Sequence, residues 1–138
     1  MLAKQKNKTL ASFLAAVTGS LGIHRFYLHG LRDPWGWLHF ITLPLSGLIA
    51  GIYFGSPGLF TYALFLLSFL ISLIEALVIG LTPDERWNLK FHNGELPAPK
   101  SGWPLAIILV LTTAIGATTL IAIIARTFDL LYTGGAYG

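Results

Sequence analysis

Four long stretches without a charged residue dominate this chain, at residues 9–23, 35–55, 57–81 and 103–125, and Glu75 is the only interruption within them. Three of them exceed the roughly 18 apolar residues that read as a membrane-spanning helix, while the first reaches that length only by continuing to Leu28. Inside lipid a backbone amide has no water partner, and the period-two alternation of a barrel strand is missing, so the runs have to be helical. Only 11% of the residues are charged, against about a quarter in soluble domains, which excludes a soluble fold. The sequence therefore predicts an all-α integral membrane protein with four transmembrane helices in an antiparallel bundle.

Polar stretches divide the chain. Residues 1–8 form a basic N-terminal segment with Lys4, Lys6 and Lys8; residues 9–82 hold three apolar helices; residues 83–102 are a polar interfacial loop; residues 103–128 make a fourth transmembrane helix; and residues 129–138 are a glycine-rich tail expected to fray. Gly55-Ser56-Pro57-Gly58 marks the turn between the second and third helices. In the long loop, Pro83, Pro97 and Pro99 oppose a continuous helix, and Asp84, Glu85, Arg86, Lys90, Glu95 and Lys100 require water. Trp87, Leu89 and Phe91 alternate there with polar residues, which suggests a segment lying along the membrane surface with its rings in the headgroup zone. Three lysines ahead of Leu10–Val17 also resemble a signal peptide, but the run continues past Gly22 with no Ala-x-Ala site, so a retained helix is expected.

Four crossings would put both termini on one face, with Lys4, Lys6, Lys8 and Arg126, and would leave Arg25, Arg32, Arg86, Lys90 and Lys100 on the other. That near-even split does not orient the chain; the uncompensated N-terminal lysines favour cytosolic termini, in a bacterial cytoplasmic membrane. A rival topology makes the first segment re-entrant, which gathers eight of the nine basic residues on one side. It fits the positive-inside tendency better but requires a turn within lipid, tolerated only when buried in protein.

Several function classes find no support. The net charge of +3 comes from residues flanking apolar runs and forms no stripe able to neutralise several phosphates, so nucleic acid is not an expected partner. The chain has no cysteine, and its histidines and acids show no metal-ligand spacing. Phosphate-loop, dinucleotide and nucleophile-elbow patterns are missing, so neither an enzyme nor a cofactor is expected.

The most specific stretch is Gly19-Ser-Leu-Gly22-Ile-His24-Arg25-Phe26-Tyr27-Leu28-His29-Gly30. It resembles the TM-two domain family, whose hairpins carry Gly-x-x-Gly-x-His-Arg-Phe-Tyr-Leu-Gly between two apolar segments; here His29 stands at the last glycine position and Gly30 follows it. Ser72-Leu-Ile-Glu75-Ala-Leu-Val-Ile79 looks like the family's closing apolar segment, with glutamate in place of the usual aspartate. The resemblance covers residues 8–82 and implies a small polytopic membrane protein with no established catalytic activity. Read physically, Gly19 and Gly22 lie three apart and would let a neighbouring backbone approach, or would merely loosen a helix end. Arg25 has to meet water, phosphate or a carboxylate. His24, Phe26 and Tyr27 would complete either an interaction motif or a membrane-surface belt.

Glu75 lies about 9 Å inside the end of the third apolar helix, and His39 about 6 Å inside the same face. An acid at that depth is costly and is expected to be paired, with Arg25 or else with His39. The function that follows is non-enzymatic, acting by helix packing or by interaction with membrane lipid, a protein partner or a second copy. The rival is a small proton- or cation-coupled transporter using Glu75.

Overall fold

The computed structural model describes residues 5–94 and 100–137; Lys4, Glu95, Pro97 and Pro99 lie outside the described residues. Among the described residues the chain is all-α, with helices α1 (Lys8–Thr18), α2 (Ile23–His29), α3 (Pro34–Ile52), α4 (Gly58–Thr61), α5 (Ala63–Leu81), α6 (Asp84–Phe91) and α7 (Trp103–Thr133). Three of these, α3, α5 and α7, are long and apolar enough to cross a membrane. The 19 residues of α3 and of α5 span about 28 Å each, close to the hydrocarbon thickness, whereas the 31 residues of α7 reach about 46 Å and have to tilt or project.

The stretch at residues 9–28, expected to be a fourth spanning helix, is instead a hairpin of two short helices. α1 ends at Thr18, a 3-10 turn covers Gly19–Leu21, and Gly22 takes a left-handed conformation (φ 74°) that reverses the chain into α2. The backbone N–H of Asn7 donates to the Tyr27 hydroxyl at 2.9 Å, and the Lys6 ammonium donates to the Tyr27 carbonyl at 2.6 Å, so the end of α2 returns to the start of α1. The physical reason is local. A residue with a side chain pays a steric penalty in the left-handed region that glycine avoids, and a Cβ on Gly22 would run into the Gly36 backbone of α3.

The hairpin is seated on α5, which is central and packs against α1, α3 and α7. Ser68, Ser72, Ala76 and Gly80 recur every fourth residue and therefore share one face of α5. They meet Ala11, Ser12, Ala15 and Gly19, all of them buried, and small residues on both sides let the backbones come close. The Ser12 hydroxyl donates to the Ala76 carbonyl at 2.8 Å, and that of Ser68 to the Ser20 carbonyl at 3.1 Å. Ser68 lies about 21 Å along α5 from Thr82, so the turn of the hairpin is carried deep into the bundle. α7 runs antiparallel to α5, with Gly80 against Leu109 and Gly116 against Leu73. On α3, the buried Ser46 hydroxyl accepts the Phe65 backbone N–H at 3.3 Å, one of the amides that the first turn of α5 cannot satisfy internally.

Helix ends follow their sequence signals. Asp33 caps α3 by accepting the Trp35 N–H at 3.1 Å, with Pro34 in the first turn. The segment containing Trp87, Leu89 and Phe91 is α6, with Pro83 at its N-cap, Asp84 and Glu85 in its first turn and Lys90 in its last, charges that suit a helix dipole. Helical geometry puts Trp87 and Phe91 on one face, ring centres 4.3 Å apart, and turns Leu89 away from them. Trp87 is 7% exposed and donates from Nε1 to the Lys6 carbonyl at 2.9 Å, whereas Leu89 is 70% exposed. Past the expected end of the fourth apolar helix at residue 128, α7 continues to Thr133, and Asp129 accepts from the Thr133 hydroxyl, from Arg126 and from the Tyr137 N–H.

Gly22→Ala should therefore lower thermal stability in detergent by more than ~1 kcal/mol, the left-handed penalty alone, because the Gly36 backbone adds a steric term. Gly47→Ala, in α3 with nothing near the added methyl, should be neutral or stabilising. Equal effects at the two positions would refute the turn geometry.

Candidate functional site

Glu75 is the centre of a polar cluster drawn from α2, α3 and α5. It projects from α5 at the level where α2 leaves the turn and α3 begins. His24 Nε2 lies 2.6 Å from Glu75 Oε2, the Arg25 guanidinium donates to Oε1, and His39 Nε2 is 3.5 Å from Oε2. The expected pairing with Arg25 and the more distant approach of His39 are thus both present. The short contact to His24 is an addition, and His24 is 1% exposed. The Ser68 hydroxyl gives its hydrogen to the Ser20 carbonyl, so in its 2.6 Å bond with His39 Nδ1 the ring carries the proton. His24 and His39 meet edge to face at 5.9 Å. Among the described residues no set of His, Asp and Glu is arranged to hold a metal ion; these side chains meet as hydrogen-bond partners.

Arg25 also reaches Asp33, at 3.8 Å, and its guanidinium lies 5.9 Å from the Trp35 ring centre. Asp33 is the N-cap of α3, so one arginine links the hairpin, the start of α3 and the middle of the bundle. Phe26 packs on Trp37, ring centres 5.3 Å apart, and against Gly36, where a Cβ would come within 2.5 Å of the ring. Gly19 is equally confined, since its Cβ would fall 2.6 Å from that of Ser72. Gly19 and Gly22 therefore permit close backbone approach, at a turn rather than along one helix face. Tyr27 ties α2 to the N-terminal segment, with the Lys6 ammonium 4.8 Å over its ring.

Two clefts flank the Arg25–Glu75 pair, and both residues line each of them. One, of about 520 Å³, lies between α2, the end of α5 and α6. The other, of about 310 Å³, lies between α3 and α5 and is walled mainly by apolar residues such as Leu38, Leu64 and Ile71, with His39 and Ser68 at its polar edge. The ion pair is the partition between a cationic cleft and an apolar one.

At the base of the hairpin the Lys8 ammonium pairs with Asp84 and donates to the Thr82 carbonyl at 2.8 Å, while Ser101 donates to Asp84 from its N–H at 2.9 Å and its hydroxyl at 2.5 Å. These donors, Lys8 foremost, pull the Asp84 carboxyl down to about 2. The same contacts and the clefts beside them gather Lys6, Lys8, Arg25, Arg86, Lys90 and Lys100 toward one end of the molecule. Arg126 shares a cleft with Pro57 and Gly58 at the other.

Sequence reasoning named Glu75, Arg25 and His39 but missed the His24–Glu75 bond, the Ser68 bridge and the Lys8–Asp84 anchor. A continuous first helix would carry His24 and Lys8 to opposite ends. The fourfold spacing of small residues on α5 was the available signal.

Breaking the Arg25–Glu75 pair by Glu75→Ala or Arg25→Ala should each cost about 3 kcal/mol, the low end for a buried pair, since the Glu75 side chain keeps 17% exposure. The double variant should lose less than the sum by at least ~1 kcal/mol; simple additivity in thermal unfolding would show the two are uncoupled. Because the folded Asp84 carboxyl lies below its unfolded value of about 3.9, its stabilisation is complete above pH ~4 and is lost as pH falls toward about 2. Trp87 fluorescence should report that loss in the intact chain and much less of it in Lys8→Gln.

No family model, curated protein or solved structure matches the chain.

Proposed function

We propose that this chain is a non-enzymatic multi-pass membrane protein of the TM-two type, with α3, α5 and α7 crossing the bilayer and the α1–α2 hairpin entering and leaving from one side. The observation that carries this reading is the engagement of consecutive signature residues, His24 and Arg25, by the intramembrane Glu75. The signature's polar residues face inward, which supports a role in locking the hairpin to the bundle. The locked hairpin and α6 then form a single basic surface through which the protein meets lipid, a protein partner or a second copy. Positive-inside asymmetry puts that surface in the cytosol and the end of α7 on the far side.

A second reading, a proton- or cation-coupled transporter, draws on one specific observation, the two clefts divided by Arg25 and Glu75. A carboxylate flanked by histidines in such a partition can pass a proton between the two sides. Against it, Glu75 is held by several donors at once, which favours a fixed structural role.

Single cysteines at positions 5, 90 and 136 separate these topologies cleanly, because the chain has none of its own. Positions 5 and 90 should label from one side of the membrane and 136 from the other; labelling of 5 and 90 from opposite sides would restore four crossings. In proteoliposomes, the intact chain should carry no proton flux beyond that of Glu75→Gln. A flux abolished by that substitution would establish the transporter.

A further inference from the structure

The cleft between α2, α5 and α6 combines features that the hairpin lock does not use. Arg86 and Lys90 are four apart on α6, so they lie on one face of that helix, and both line the cleft. Among the described residues Arg86 has no acidic partner, and Lys90 has only the Phe91 ring, 5.3 Å from its ammonium. Two more cleft groups, Arg25 and Glu75, neutralise each other. Burial lowers the His29 pKa despite the neighbouring Asp33, so His29 adds little positive charge at neutral pH. The uncompensated charge facing the cleft is therefore that of Arg86 and Lys90. Beneath them the wall is apolar, formed by Leu28, Val78 and Ile79, and Val78 is 62% exposed at the end of a helix that is otherwise built for lipid.

A pair of cations above an apolar wall, where a membrane-length helix gives way to a polar one, fits a ligand that is anionic at one end and hydrocarbon at the other. We infer that this cleft binds one anionic phospholipid, its phosphate between Arg86 and Lys90 and an acyl chain along Leu28, Val78 and Ile79. The volume of about 520 Å³ accommodates a headgroup and the first part of a chain, the rest continuing into the bilayer. Arginine supplies a planar fork to two phosphate oxygens and lysine a mobile point charge, a pairing suited to a headgroup that retains rotational freedom. A free phosphate would satisfy the cations and leave the apolar wall wet; a zwitterionic lipid would satisfy the wall and bring its own cation to the pair. The inference rests on the proposed location of this end at the membrane surface, yet lipid retention in detergent is measured independently of which side that surface faces.

The test is native mass spectrometry of the full chain in detergent micelles doped with phosphatidylglycerol or phosphatidylcholine. One phosphatidylglycerol should be retained about tenfold better than phosphatidylcholine, in line with the attraction of two basic residues for an anionic lipid. That preference should vanish in the Arg86→Gln, Lys90→Gln double variant, whose changes are at exposed positions, and should persist in Arg126→Gln at the other end of the molecule. Unchanged preference in the double variant would overturn the inference. So would equal retention of the two lipids, or displacement of phosphatidylglycerol by inorganic phosphate at comparable concentration. If retention behaves as expected while positions 5 and 90 label from opposite sides, the site stands and the topology falls.

Discussion

A carboxylate set within an apolar helix has to be answered by donors brought from elsewhere, and Glu75 is answered by the hairpin. An unpaired ionised group in hydrocarbon is costly enough that helix arrangement yields to it. Here His24 and Arg25 come from α2 and His39 from α3, and all three converge on the face of α5 that also carries the small-residue stripe. Close backbone approach and charge pairing thus depend on each other. The stripe at Ser72, Ala76 and Gly80 lets α1 settle against α5, and only with α1 settled does the turn at Gly19–Gly22 deliver His24 to the carboxylate.

Returning the hairpin to its starting side has an electrostatic consequence. Basic residues that a four-crossing bundle would divide almost evenly are gathered at one end, anchored by Lys8 on Asp84 and by Lys6 on Tyr27. The turn is buried and covered by protein, as irregular backbone at membrane depth would have to be: Ser20 gives its carbonyl to Ser68, and Gly22 lies against α3. α6 closes the arrangement from above, with Trp87 covering the N-terminal segment through the Lys6 carbonyl.

Much of this was legible in the residues, for identifiable reasons. Apolar runs as long as those at 35–55, 57–81 and 103–125, broken only by Glu75, admit little except spanning helices, and α3, α5 and α7 occupy them. Glu75 had to find a cation, and Arg25 was the one near its depth. What hydropathy could not convey is where an apolar run turns back, because residues 9–23 are as hydrophobic in a hairpin as in a span. That information lay in Gly19, Ser20 and Gly22 and in the better fit of the basic residues to a first segment that turns back. At Trp87, Leu89 and Phe91 the alternation with polar residues left the secondary structure open, and Pro83, Asp84 and Lys90 were the signals for the helix found there.

The hairpin is most directly tested by the separation of spin labels at Leu10 and Leu31, both exposed, measured by pulsed electron paramagnetic resonance in lipid nanodiscs. A continuous helix would hold these positions about 32 Å apart. The fold described here brings the chain back beside its own beginning, and a single distance well below that value is expected. A narrow distribution centred near ~32 Å would contradict the hairpin and, with it, the engagement of His24 and Arg25 by Glu75.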